Sequence, residues 1–192
     1  NFTGEIYHSD SFDQIKNVTN KKILIVGGSD TAVDCAIELI HNKNKITLSI
    51  KNGVWFQSRN TGAYEPSDML YNRALDFIIK NITGKKFVHD NTNPNNNNNI
   101  QFYWGESGSG IKIWKSKCDY LNSYYVKSRE IVDLVSKGIV IPENRIVDID
   151  KNKITFETKH TNEFDIILFC TGYKPLKCMN FLDSKIVNTQ IG

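Results

Sequence analysis

A glycine-rich heptapeptide, VGGSDTA, runs from Val26 to Ala32. In a dinucleotide-binding fingerprint, glycines at the first, third and sixth positions allow the tight bend, the approach of the pyrophosphate and the packing of helix on strand. Gly27, Ser29 and Ala32 hold those positions here, so the middle glycine is replaced. A serine hydroxyl can donate to a phosphate oxygen beside helix N-terminal N–H groups. Taken alone, the heptapeptide fits a phosphate-binding turn and a plain strand-to-helix turn equally well.

The end of the next strand bears on which nucleotide would bind. NAD-selective sites usually place Asp or Glu there for the ribose 2′-hydroxyl. The segment LSIKNGVWFQSR, residues 48–59, instead carries Ser49 and Lys51 and no acid. A hydroxyl and a cation suit a 2′-phosphate, which favours NADP. The simpler alternative is that Lys51 and Arg59 are solvated surface charges.

These residues need a strand before the turn and a helix after it. The run KKILIVGG, residues 21–28, is a β-branched strand ending in glycine. The following segment has apolar residues at helical spacing, at Ala32, Ala36, Ile37 and Ile40. KITLSI, residues 45–50, is a second strand, so the pattern predicts a βαβ unit with the glycine-rich turn at its first junction.

Later elements are shorter. The sequence predicts a helix from Pro66 to Ile82, a polar surface insertion at His89–Asn99, and a helix over Lys127–Lys137 that Gly138 ends. GIVIP, RIVDID and KITFET read as short strands in a meander. FDIILFCTGYKP, residues 164–175, contains a continuous apolar run typical of a strand buried on both faces.

Composition narrows the function classes. The net charge is only +3 over 192 residues and Lys and Arg are dispersed, so the sequence does not indicate a basic nucleic-acid-binding surface. The four cysteines form no C-x-x-C pair and suit neither a metal site nor a disulfide framework, so we expect reduced thiols in a cytosol. No apolar run has the roughly 18 residues of a membrane span. The chain starts at Asn1 rather than Met, which suggests a fragment.

Three segments resemble motifs of the flavin-containing monooxygenase family and follow one another along the chain in the family's order: residues 2–12, the segment after the second strand, and residues 164–175. FTGEIYHSDSF resembles its F-x-G-x-x-x-H-x-x-x-[YF] motif through Phe2, Gly4, His8 and Phe12. FDIILFCTGYKP resembles its D-x-x-x-x-A-T-G-Y signature, with Cys170 in place of Ala. The segment after the second strand is similar to its S-x-R-x-G-x-W motif with a trailing Arg and Pro-x-Asp, carried by Ser49, Lys51, Gly53, Trp55, Arg59, Pro66 and Asp68.

The resemblance implies an α/β, Rossmann-like NADP domain with a small β-meander and a return strand toward a FAD domain. It implies a linker at 1–14, the NADP-binding domain at 15–164 and the return segment at 165–192. Some family members carry serine at the middle position of the turn, and Lys51 stands where an arginine is common. Implied cofactor-binding residues are Gly27, Gly28, Ser29, Asp30, Thr31 and Ala32 for the pyrophosphate, Ser49, Lys51 and Arg59 for the 2′-phosphate, and Thr171 and Gly172 near the meeting point of the cofactors.

By the same resemblance the full enzyme would use NADPH, FAD and O2 to oxygenate a small amine or sulfur substrate through a C4a-hydroperoxyflavin. The FAD site would lie mostly outside this chain, no catalytic residue or metal is assigned, and a homodimer is left open. Two alternatives remain: a stand-alone NADP-binding module, and a relative of the pyridine nucleotide-disulfide reductases. The missing C-x-x-C argues against the second, and the linker motif argues against both.

Overall fold

The computed structural model describes residues 1–56, 60–61, 65–66, 111–116, 125–128 and 130–173. Within these residues two α-helices and two short 3-10 helices accompany the strands. The helices are α1 (Asp30–Ile40) and α2 (Glu130–Ser136), with 3-10 turns at Ser9–Gln14 and Lys112–Trp114. The strands are β1 (Glu5–His8), β2 (Lys22–Val26), β3 (Lys45–Ser49), β4 (Trp55–Phe56), β5 (Asn60–Thr61), β6 (Glu65–Pro66), β7 (Tyr125–Val126), β8 (Val140–Glu143), β9 (Ile146–Asp150), β10 (Lys153–Phe156), β11 (Thr161–Glu163) and β12 (Ile166–Phe169).

Five of these strands form one parallel sheet in the order β1-β12-β2-β3-β8. The last strand among the described residues, β12, is therefore an inner strand between β1 and β2. Its IILF sequence and the KILIV of β2 are β-branched and apolar because both faces of these inner strands are covered. The predicted Rossmann-like α/β fold, its opening βαβ unit and the buried final strand are confirmed.

The two faces of the sheet have different covers. Ile23 and Ile25 of β2 belong to the apolar cluster that includes the buried face of α1. Leu24, which alternates with them, packs instead in a second cluster with Ile154 and Phe156 of the meander. Because side chains alternate across a strand, this division places α1 on one face and the meander on the other. The domain thus has three layers.

The structure corrects the predicted meander in one respect. GIVIP does not join it: β8 pairs in parallel with β3, in register from Ile46–Val140 to Ser49–Glu143. The antiparallel meander consists of β9, β10 and β11. The TNE sequence of β11 has no buried residue and therefore no apolar signal. It is held by its backbone pairing with β10 and by a 2.9 Å hydrogen bond between the hydroxyls of Thr155 and Thr161.

The segment predicted as a linker contributes the edge strand β1. Gly4 allows it to lie against the turn before β12, because an ideal Cβ there would be 2.3 Å from the carbonyl oxygen of Asp165. Whether residues 1–14 also join two domains stays a prediction.

The helix predicted over Lys127–Lys137 is observed as α2, but it spans only Glu130–Ser136, and Lys127 and Ser128 are not helical. Pro66 lies in the short strand β6. The rest of the helix predicted at 66–82, the Asn-rich segment 89–99, and Arg59, Asp68, Cys118 and Cys178 lie outside the described residues.

Candidate nucleotide-binding site

A cavity of about 700 Å³ opens at the carboxyl ends of β2, β3 and β12. Ligands of open α/β sheets bind at this edge, and a cavity of this size is in the range that small-molecule sites occupy. Eight of the eleven residues predicted to bind a cofactor line it: Gly27, Gly28, Ser29, Thr31, Ser49, Lys51, Thr171 and Gly172.

The first glycine of the turn is required by the strand beside it. Gly27 has φ +146°, and an ideal Cβ there would lie 2.4 Å from the carbonyl oxygen of Cys170. Its N–H donates to Ser49 O at 3.0 Å, while the N–H of Cys170 donates to Val26 O at 2.8 Å. The turn is thus held between the ends of β3 and β12, with its backbone facing the cavity.

Ser29 is the N-cap of α1. Its hydroxyl oxygen accepts a hydrogen bond from the N–H of Ala32 at 3.4 Å, and the residue lines the cavity. The hydroxyl proton is not used in this contact, so Ser29 can cap the helix and donate to a ligand at the same time.

Two other predicted turn residues lie away from the cavity lining. Ala32, in the first turn of α1, is fully buried, in keeping with the packing role of the sixth fingerprint position. The carboxylate of Asp30 accepts a 2.8 Å hydrogen bond from the backbone N–H of Lys127. Asp30 therefore ties α1 to the chain after β7, and its assignment to the pyrophosphate stays a prediction.

At the end of β3 the three predicted residues have different surroundings. Ser49 is 2% exposed, and its hydroxyl donates to Asn144 O at 2.6 Å, so that proton is already used within the protein. Lys51 is exposed and lines the cavity. Arg59 lies outside the described residues.

Arg145, which was not predicted from the sequence, is an exposed cation that lines the cavity from the loop between β8 and β9. Only the pairing of β8 with β3 brings this loop to the edge where Lys51 lies. A sequence signal did exist, because Arg145 follows a short apolar run by a few residues, as Lys51 does. Because that run was predicted to be a strand of the meander, Arg145 was not expected near Lys51.

The loop that carries Arg145 is supported by a buried acid. Glu143, 1% exposed, accepts a 2.8 Å hydrogen bond from the hydroxyl of Thr158 and lies 3.0 Å from Nδ1 of His160. Its backbone carbonyl accepts from the N–H of Ile50 and, at 2.9 Å, from the indole N–H of Trp114. Glu143 thus joins the parallel sheet to the meander turn.

The ends of β1 and β12 are joined at the rim of the cavity. Nδ1 of His8 accepts from the N–H of Asp10 at 3.4 Å, which leaves Nε2 to donate to Gly172 O at 3.2 Å. The hydroxyls of Ser9 and Tyr173 are 3.1 Å apart. The imidazole of His8 thus connects the end of β1 to the chain after β12.

A pair of buried thiols lies behind the turn. Cys35 on α1 and Cys170 after β12 form a side-chain hydrogen bond. The Cys170 thiol donates, which lowers the pKa of Cys35 below its usual value. The same contact and burial raise the pKa of Cys170, so Cys170 keeps its proton. Both cysteines are free, and the reduced state expected of all four cysteines stays a prediction.

The charge of the cavity suits a phosphorylated nucleotide. Among the described lining residues there are two cations, Lys51 and Arg145, and no carboxylate. Ser29 and Thr31, at the N-terminus of α1, line the same space, and hydroxyl and helix N-terminal N–H groups are donors suited to phosphate oxygens. Across the described part of the chain, no group of three or more His, Cys, Asp or Glu could hold a metal ion. No helix among the described residues is long and apolar enough to cross a membrane.

The fold and the site together define a Rossmann-like α/β domain with a glycine-rich turn beneath an anion-compatible cavity. The model of the flavin-binding monooxygenase-like family matches residues 1–191, and the chain belongs to that family.

Curated relatives agree with this membership. The chain is 25% identical to dimethylaniline monooxygenase (N-oxide-forming) 4 of Mus musculus over 90% of its length, and 24% identical to flavin-containing monooxygenase 1 of Mus musculus over 100%. It covers 30% and 34% of those two proteins, so it spans about a third of their length.

Solved structures share the fold. The closed crystal structure of cyclohexanone monooxygenase matches 90% of the chain with a TM-score of 0.56 at 12% identity, and the chain covers 42% of it. A double mutant of the flavin monooxygenase of Stenotrophomonas maltophilia matches 95% with a TM-score of 0.52 at 13% identity, and the chain covers 39% of it.

Proposed function

We propose that this chain is the NADPH-binding part of a FAD- and NADPH-dependent monooxygenase that transfers one oxygen atom of O2 to a soft nitrogen or sulfur nucleophile. The observation that carries the nucleotide part is the cavity, where a glycine-rich turn adjoins two cations and, among the described lining residues, no carboxylate. Family membership supports the flavin part. The N-oxide-forming relatives support oxidation at nitrogen.

The strand order β12-β2-β3 suggests how NADPH would lie. The pyrophosphate would rest on the turn after β2, against the backbone of Gly27 and Gly28 and the hydroxyl of Ser29. The adenosine ribose would then lie toward the end of β3, where Lys51 attracts a 2′-phosphate. The nicotinamide would point toward Thr171 and Gly172 after β12.

In this arrangement the chain's own residues bind and orient the nucleotide. Bound NADPH would supply the hydride that reduces the flavin, and the cofactors would carry the bond chemistry. The hydrogen bond from His8 to Gly172 O joins the strand ends beside which the nicotinamide would lie.

The nucleotide part is tested by titrating NADPH and NADH into the 192-residue chain and its Lys51→Glu variant. We expect wild type to prefer NADPH, and Lys51→Glu to weaken NADPH about tenfold or more while NADH changes little, because only NADPH has the 2′-phosphate. Lys153→Glu, an exposed lysine on β10, is the matched control for the same charge reversal. Equal affinities of wild type for the two nucleotides would remove the proposal.

The oxygenase part needs the full-length protein that contains this chain. We expect it to contain FAD and to oxidise NADPH faster when trimethylamine or a thioether is added.

On the basis of cysteine usage we also propose a cytosolic location. The family resemblance suggests a homodimer, and the molar mass of the full-length protein, measured by light scattering, would test this.

One observation favours a second candidate, a stand-alone NADP-binding module. The cavity is lined by residues from this chain's own strands and turn, which supports nucleotide binding without another domain. NADPH binding by a full-length protein that contains no flavin would favour this module over the monooxygenase.

A further inference from the structure

We infer that Arg145 is a specificity-determining residue, which binds the 2′-phosphate of NADPH together with Lys51 from the neighbouring strand. This inference rests on the proposed function, and it adds a residue that neither the fingerprint nor the motif after β3 contains. Its basis is the pairing of β3 with β8.

The two cations occupy equivalent places after adjacent parallel strands. Ser49 and Glu143 are the last register partners of β3 and β8. The N–H of Ile50 donates to Glu143 O at 3.0 Å, which continues the pairing one step beyond the strands. Lys51 and Arg145 each follow these partners by two residues, so both leave the sheet at the same edge and line the same cavity.

The backbone of Arg145 is held in place. Its carbonyl accepts a 2.9 Å hydrogen bond from the N–H of Glu157, and the preceding carbonyl, of Asn144, accepts from the buried hydroxyl of Ser49. The loop is thus attached both to β3 and to the meander. Binding would require ordering of the arginine side chain only, which keeps the entropic cost low.

The guanidinium is available to a ligand. Arg145 is exposed, and within the described ranges neither it nor Lys51 makes an ion pair with a carboxylate. Arginine presents a planar fork that binds two phosphate oxygens at once, whereas lysine acts as a point charge. Arg145 therefore supplies the bidentate contact that Lys51 cannot make.

The position of Arg145 after β8 favours the 2′-phosphate, rather than the pyrophosphate, as the group that it binds. The pyrophosphate turn follows β2, whereas Arg145 follows β8, on the far side of β3. The ribose is expected beside the end of β3. Arg145 and Lys51 therefore approach the ribose from adjacent strands.

The test measures dissociation constants of NADPH and NADH for wild type, Arg145→Met and Arg145→Lys of the 192-residue chain. We expect Arg145→Met to weaken NADPH about ten- to a hundredfold and NADH less than about twofold. Arg145→Lys should recover only part of the loss, since it restores charge without the fork. Lys153→Met, which removes an exposed cation of the meander, should leave both constants unchanged.

Two outcomes overturn the inference and leave the proposed function standing. Equal losses of NADPH and NADH in Arg145→Met would place the arginine on the pyrophosphate. Unchanged NADPH affinity, with the circular dichroism of wild type, would remove Arg145 from the site. Failure of wild type to bind either nucleotide would instead overturn the proposed function and this inference with it.

Discussion

An ideal Cβ at Gly27 would lie 2.4 Å from the carbonyl oxygen of Cys170, so the first turn residue and the residue after β12 meet backbone to backbone. This contact joins the start of the glycine-rich turn to the last strand of the sheet. It explains why the first fingerprint position tolerates no side chain here, independently of any ligand.

Gly27→Ala should therefore destabilise the chain by about 3 kcal/mol, through the contact with Cys170 and the φ of +146°. Gly138→Ala is the matched control, because Gly138 has φ +70° but nothing within 4 Å of an added Cβ. We expect the control to cost about 1 kcal/mol. Urea denaturation measures both, and equal losses would show that the contact is irrelevant.

Ser29 is expected to contribute both to the stability of the chain and to its affinity for NADPH. Ser29→Ala should lower the free energy of unfolding by about 1 kcal/mol through loss of the N-cap, and weaken NADPH by about 1 kcal/mol through loss of a phosphate contact. Ser29→Gly should lose a few tenths of a kcal/mol of stability and bind NADPH nearly as wild type does, because it restores the usual fingerprint. Tighter NADPH binding by Ser29→Ala would identify the hydroxyl as an obstruction.

Ser49 is expected to act on the loop rather than on the ligand. Ser49→Ala leaves the carbonyl of Asn144 without its donor and should lower the free energy of unfolding by about 1 to 2 kcal/mol. Thr155→Ala, which removes a part-exposed hydroxyl on β10, should cost less. If Ser49→Ala keeps full stability but loses NADPH affinity, the hydroxyl binds the phosphate directly.

The tie between β1 and β12 is tested at His8. His8→Phe removes the hydrogen bond to Gly172 O while keeping a ring beside Tyr173, whose centroid lies 5.0 Å from that of the imidazole. We expect a loss of about 1 kcal/mol and faster amide hydrogen exchange at the ends of the two strands. Exchange unchanged from wild type would contradict a role for His8 in holding these ends together.

How far the sequence alone leads can be judged from three segments. Local patterns are strong around VGGSDTA, where a β-branched run, a helix cap and a helical apolar stripe follow one another, and strand, turn and helix were all predicted correctly. The buried strand IILF was predicted for the same reason. The polar strand TNE was missed, because its stability comes from backbone pairing that leaves no hydrophobic pattern.

The sequence by itself determined the elements of the opening unit, the phosphate-compatible turn and the absence of an acid after β3. Only the tertiary structure decided that β8 lies beside β3 rather than in the meander. Strand pairing is a non-local choice: the same apolar alternation serves either sheet, and the decision depends on which neighbour supplies hydrogen bonds and covers the buried side chains. That choice brings the loop of Arg145 to the strand end that carries Lys51, across 94 positions of sequence, and gives the hydroxyl of Ser49 a partner in Asn144 O.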